Sequence, residues 1–149
     1  MISSFSGKYR FLSNFHPSPI QVGTIMYPTV EHAYQAHKSR SHAERKRIAA
    51  LPTPGAAKRA GRLLELRPDW EDVKVGIMAM LLEMKFKDPD LRQMLLDTGS
   101  ELLIEGNNWG DYFWGRCHGR GENMLGILLM QRRRIEKTKT DMALSRRVD

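Results

Sequence analysis

The run from Asn123 to Met130, NMLGILLM, constrains this chain most. Read as a helix, it is apolar on nearly every side, with Met124, Leu125, Ile127, Leu128, Leu129 and Met130 leaving no polar stripe. Such a helix has no face to give to water, so the fold has to be built around it. The chain upstream supplies the wrapping. Helix starts recur at short intervals, at Thr29 after Pro28, at Thr53 before Pro54, at Asp69 and at Pro89. Ser, Thr and Asp accept the unpaired N–H groups of a first turn, and Pro suits the first helical position. The spacing predicts helices over 29–39, 42–51, from Pro54 through GAAKRAGRLLEL, from Asp69 to about Met84, over 89–97 and over 123–134. In the fourth of these, Val73, Ile77, Met80, Leu81 and Met84 mark the expected buried stripe.

Residues 1–28 read as irregular or β-like, with Gly23 in PIQVGTIMYP between two short strand-like runs, the pattern of a small hairpin. ELLIEG is a further short strand candidate. The expected fold is mainly α: a multihelical, compact single domain over 1–135 with a small β-hairpin and short strands. Residues 136–149 form a polar, basic C-terminal tail expected to fray. A chain of 149 residues suits one domain with one core.

Net charge is +7 and unevenly spread. Lys38–Arg67 holds nine Lys and Arg against two acids, and Arg132–Arg147 seven against two, blocks that favour nucleotides, phosphates or nucleic acid. No apolar run approaches the ~20 residues of a membrane span. The N-terminal MISSFSGKYRF lacks a signal peptide's layout, and the single cysteine, Cys117, fits a reducing cytosol. A cytoplasmic protein is the expectation; oligomeric state is not readable.

Three stretches could carry chemistry. In YPTVEHAYQAHK, Glu31, Gln35 and Lys38 share one helical face, and the helix start favours an ionised Glu31. His32, His37 and His42 are five residues apart, each turned about 140° from the last, so one helix cannot converge them on a metal. In AAKRAGRLLE, Lys58 and Arg62 share a face on which Gly61 leaves room for a phosphate. Trp70 and Lys74 follow at the rim of the buried stripe. In WGDYFWGRCHGRGEN, Asp111 and Trp114 lie in a loop bounded by glycines that match no dinucleotide or phosphate-loop fingerprint.

In order, FLSNFHPSPI, YPTVEHAYQAHK, AAKRAGR, the DW of Asp69 and Trp70 followed by Lys74, MKF, IEGNNWGDYFWG and GENMLGILLMQRR resemble the NADAR family, over roughly Phe5 to Arg133. The resemblance implies an N-glycosidase that cleaves a ribosyl C–N bond. The substrates it implies are ADP-ribosylated guanine, in nucleic acid or a nucleotide, and a phosphoribosylamino-pyrimidine intermediate of riboflavin synthesis. Carried over by motif, Glu31, Trp70, Asp111 and Trp114 are active-site residues, and Asn14, Gln35, Lys58 and Arg62 join the tryptophans in binding substrate. One carboxylate is expected to face the sugar cation and the other the ribose hydroxyls. Alternatively Lys38 or Lys74 forms a Schiff base with the opened sugar. Neither route calls for a metal or cofactor. The rival expectation is a non-catalytic module that binds ADP-ribose or nucleic acid.

Overall fold

The computed structural model describes residues 1–148. The chain forms two compact units, one of Asn14–Lys85 and one of Met1–Ser13 with Phe86–Asp149.

In the first unit, β1 (Ile20–Val22) and β2 (Ile25–Tyr27) pair antiparallel with Val22 opposite Ile25. Gly23 turns the hairpin at φ 61°, a left-handed conformation that glycine adopts without strain. Three helices follow, each with a hydroxyl side chain at its N-cap. The Thr29 hydroxyl accepts the His32 N–H and opens α1 (Val30–Ala36). Ser41 does the same for α2 (His42–Ala49), and Thr53 for α3 (Pro54–Arg62). The longer α4 spans Trp70–Lys85.

Every residue of α1 is buried, and α1 packs against α2, α3 and α4. Its polar side chains therefore need partners inside the unit. His32 finds two: Nε2 meets the Leu51 carbonyl at 3.0 Å and Nδ1 the Thr29 hydroxyl at 2.8 Å. Because the Leu51 carbonyl can only accept, Nε2 carries the proton and donates, and the bare Nδ1 of the neutral ring accepts from the Thr29 hydroxyl. Burial lowers the His32 pKa, which suits this neutral ring.

The buried face of α4 differs from the expected stripe. Trp70, Met78, Leu81, Leu82 and Lys85 are buried, whereas Val73, Ile77, Met80 and Met84 are half-buried. Apolar residues lie on two sides of this helix, so apolar spacing alone leaves the face undetermined by about one residue, or 100°.

In the second unit, a 3-10 turn at Gly7–Leu12 stands where irregular or β-like structure is expected. Asp88 caps α5 (Pro89–Asp97) by accepting the Asp90 and Leu91 N–H groups. Of ELLIEG, Leu103 bridges Ile2, and Gly106 begins β3 (Gly106–Asn107), which runs parallel to β4 (Arg116–Cys117). The last helix, α6, spans Met124–Val148. It is buried at Leu125, Leu128 and Leu129, but Ile127 is 37% exposed, so it is not enclosed on all sides. The helix continues past Ile135, where the sequence suggests a tail. Arg92 donates to Glu136 at 2.8 Å and to the Thr140 hydroxyl, and Lys139 flanks Glu136 at 3.5 Å. These ties hold the helix past the point where its apolar residues thin out. No helix among the described residues is long and apolar enough to cross a membrane.

Candidate functional site

In the first unit the site grows from one face of α1. Glu31 is 7% exposed, and its N–H donates to the Asn14 carbonyl at 3.1 Å. Gln35, one turn on, donates from Nε2 to Glu31 Oε1 at 2.7 Å. The other end of that amide, Oε1, lies against Gly61 of α3; a Cβ there would come within 1.9 Å of it. The room expected at Gly61 for a phosphate is thus taken by Gln35.

Just beyond α1, the Lys38 ammonium lies 5.8 Å from the centre of the Tyr34 ring. Tyr34 packs on Trp70 with ring centres 5.2 Å apart, a tilted pair worth about 0.5–1.5 kcal/mol beyond its burial. Burial holds the Lys38 pKa below the ordinary lysine value. Glu31 pulls it up, while Arg62, Lys58 and Lys74 push it down. The unit therefore brings Glu31, Gln35, Lys38, Lys58, Arg62 and Lys74 into one electrostatic neighbourhood with Tyr34 and Trp70. Lys58 is half-buried and Arg62 exposed. Lys74 is held by Glu71 at 2.7 Å. Asn14 donates from Nδ2 to the Met78 sulfur at 3.6 Å, and its buried Oδ1 has no hydrogen-bond partner among the described residues.

Asp111 and Trp114 belong to the second unit. Asp111 Oδ1 accepts the N–H groups of Phe113 (3.2 Å) and Trp114 (2.9 Å). Asn107 clasps the same turn, accepting the Asp111 N–H and donating to the Asp111 carbonyl. An Asp that bonds its own downstream backbone folds the chain into a tight turn. Trp114 is half-buried and meets Phe113 edge-on at 4.8 Å, while Trp109 and Tyr112 are exposed. Gly115 and Gly121 are needed for close packing: a Cβ at Gly115 would lie 2.1 Å from the Glu105 carbonyl oxygen, and one at Gly121 2.5 Å from the Gly115 carbonyl oxygen. The aromatic-rich glycine loop is therefore a braced turn.

A groove of about 490 Å³ opens elsewhere in the first unit, lined by Ser39, Arg40, Arg47, Leu63 and Arg67 among others. It includes none of the residues singled out from the sequence. Its arginines are paired, Arg40 and Arg67 with Asp69 and Arg47 with Glu44. Arg67, then Arg40, hold the Asp69 pKa at about 2.

The NADAR domain model matches residues 3–135. The chain belongs to the NADAR family. Among its NADAR relatives, the N-glycosidase YbiA of Escherichia coli is 40% identical over 134 residues, covering 87% of this chain and 83% of YbiA. The NMR structure of that YbiA superimposes with a TM-score of 0.81 at 35% identity, covering 94% of this chain and 89% of the other. The chloroplastic riboflavin biosynthesis protein PYRR of Zea mays is 37% identical over 142 residues, covering 81% of this chain but 22% of PYRR. The activity class of this NADAR chain is hydrolysis of an N-glycosyl bond.

Two features of this candidate site were not legible in the sequence. Tyr34, 6% exposed, links Lys38 to Trp70. Its four-residue spacing from Lys38 was the available signal. The role of Gly61 as the seat of Gln35 carried no local signal, because it depends on how α3 meets α1.

Proposed function

We propose that this chain hydrolyses the ribosyl C–N bond of a phosphorylated, nucleotide-like substrate in the cytoplasm, with Glu31 as the reacting carboxylate. The observation that carries this is the enclosure of Glu31 beside Lys38, amid lysines, an arginine and two aromatic rings. As the bond breaks, its electron pair leaves with the nitrogen, and positive charge builds on the anomeric carbon and ring oxygen. A fixed anion in a water-poor site stabilises that charge where it forms. Water then bonds to the anomeric carbon and gives up a proton, and the departing nitrogen gains one. Lys58 and Arg62 hold phosphate, and Trp70 walls the base side. For Asp111 and Trp114 the motif resemblance is the support, and variants at Asp111 are the test.

The lowered Lys38 pKa favours a second route on the same substrate. There the glycosylamine nitrogen expels the ring oxygen to give an open imine. The neutral Lys38 amine adds to the anomeric carbon, the substrate amine departs, and water releases the sugar from the lysine Schiff base.

The riboflavin-pathway naming of the maize relative supports a phosphoribosylamino-pyrimidine substrate. The +7 charge is equally suited to an ADP-ribosylated guanine in nucleic acid. Incubation with the pyrimidine intermediate, ADP-ribosylated guanosine and ADP-ribosylated DNA, followed by mass spectrometry of the freed sugar, tests the proposal. Release from at least one supports it and names the substrate. Tight binding of ADP-ribose with no release from any would make the chain a binding module.

A further inference from the structure

The side chain of Gln35 is 4% exposed and turned inward at both ends. Nε2 is given to Glu31 Oε1, and Oε1 rests against the α-carbon of Gly61 without a hydrogen-bond partner among the described residues. The orientation follows from chemistry: two oxygens would repel, so the NH₂ group has to face the carboxylate. A buried acceptor served only by a Cα–H contact is unfavourable. Packing alone would be met better by Leu or Met at this position. What the amide supplies and they cannot is the donor on Glu31.

We propose that Gln35 is a positioning residue for Glu31, holding one carboxylate oxygen, and that residue 61 is glycine because any side chain there would evict the Gln35 amide. This rests on the reading of Glu31 as the reacting carboxylate. It replaces the expectation that Gln35 touches substrate. The chain of contact runs from α3 through Gly61 and Gln35 to Glu31, so helix packing sets the aim of the carboxylate.

The test measures kcat, KM and the pH profile on the phosphoribosylamino-pyrimidine for Gln35→Met, Gln35→Ala, Gly61→Ala and the Gln35→Ala/Gly61→Ala double variant, with circular dichroism as the fold control. Gln35→Met keeps the volume and loses the donor. It should lower kcat about 10- to 100-fold, the worth of one hydrogen bond to a charged group, with KM nearly unchanged. The acid limb of its profile should move to higher pH, because the bond favours the charged carboxylate. Gly61→Ala should show the same signature. Added to Gln35→Ala it should change little, since the group it would evict is gone; the remaining Cβ of residue 35 lies 3.0 Å away and needs to give only slightly. A Gln35→Met variant with raised KM and unaltered kcat and profile would overturn the proposal, as would effects of Gly61→Ala and Gln35→Ala that multiply. Gln35→Met decides alone if Gly61→Ala fails to fold. Wild-type turnover by Glu31→Gln would remove the underlying reading as well. An inactive Glu31→Gln beside a fully active Gln35→Met would remove only this inference.

Discussion

The Lys38 ammonium lies 5.8 Å from the centre of the Tyr34 ring, on the element that carries Glu31. The half-buried amine keeps a pKa below the ordinary lysine value, so its neutral, nucleophilic form appears at lower pH than in an exposed lysine. On the Schiff-base route, borohydride added during turnover should fix the sugar onto Lys38, not onto Lys74, whose amine is held by Glu71. The rate of adduct formation should rise with pH and level off below the usual lysine range. An active enzyme that yields no adduct would assign the reaction to direct attack by water.

Trp70 is 5% exposed and packs on Tyr34, so it is a core residue as much as a pocket wall. Trp70→Ala should cost about 3–5 kcal/mol of stability, read from denaturant midpoints, with activity falling alongside. Trp70→Phe should keep most of the stability. Full stability in Trp70→Ala with lost activity would leave substrate stacking as its only task.

Asp111 serves its own turn through Oδ1. Asp111→Ala should cost about 1–2 kcal/mol, the usual effect of losing a side-chain acceptor for backbone N–H groups. Asp111→Asn retains that acceptor and should fold with near wild-type stability. Turnover in Asp111→Asn then reads the charge alone: a loss of about 100-fold or more would mark a carboxylate used in the reaction, and full activity would confine Asp111 to the loop.

Lys85 is 1% exposed, and burial brings its pKa down to about 7. The unfolded chain keeps that proton up to the ordinary lysine value, whereas the folded chain releases it above about 7. Between these limits the unfolded state binds more protons, so stability rises with pH. The unfolding free energy should gain on the order of 2–3 kcal/mol from about pH 7 to about pH 9. Lys85→Met should flatten that slope in chemical denaturation. An unchanged slope in the variant would place the proton uptake elsewhere.

The helix starts at Thr29 and Thr53 were legible because capping is local chemistry: each accepts an N–H three residues on, and sequence carries that signal intact. The buried face of α4 was not, since apolar residues on two sides make the stripe ambiguous and Lys85 sits inside it. Nor was the helical extension past Ile135, which Arg92 secures from 44 residues away. At the site, the shared face of Glu31, Gln35 and Lys38 followed from spacing. What could not be read was that Gln35 turns to Gly61, a meeting of two helices.

If the Glu31 charge drives cleavage of the ribosyl bond, an uncharged isostere at this position should bind substrate without cleaving it. Single-turnover kinetics of Glu31→Gln on the phosphoribosylamino-pyrimidine, with substrate affinity measured in parallel, tests it most directly. Affinity and fold should be retained, and the rate of sugar release should fall about 100-fold or more. Release at the wild-type rate by the uncharged variant would contradict it.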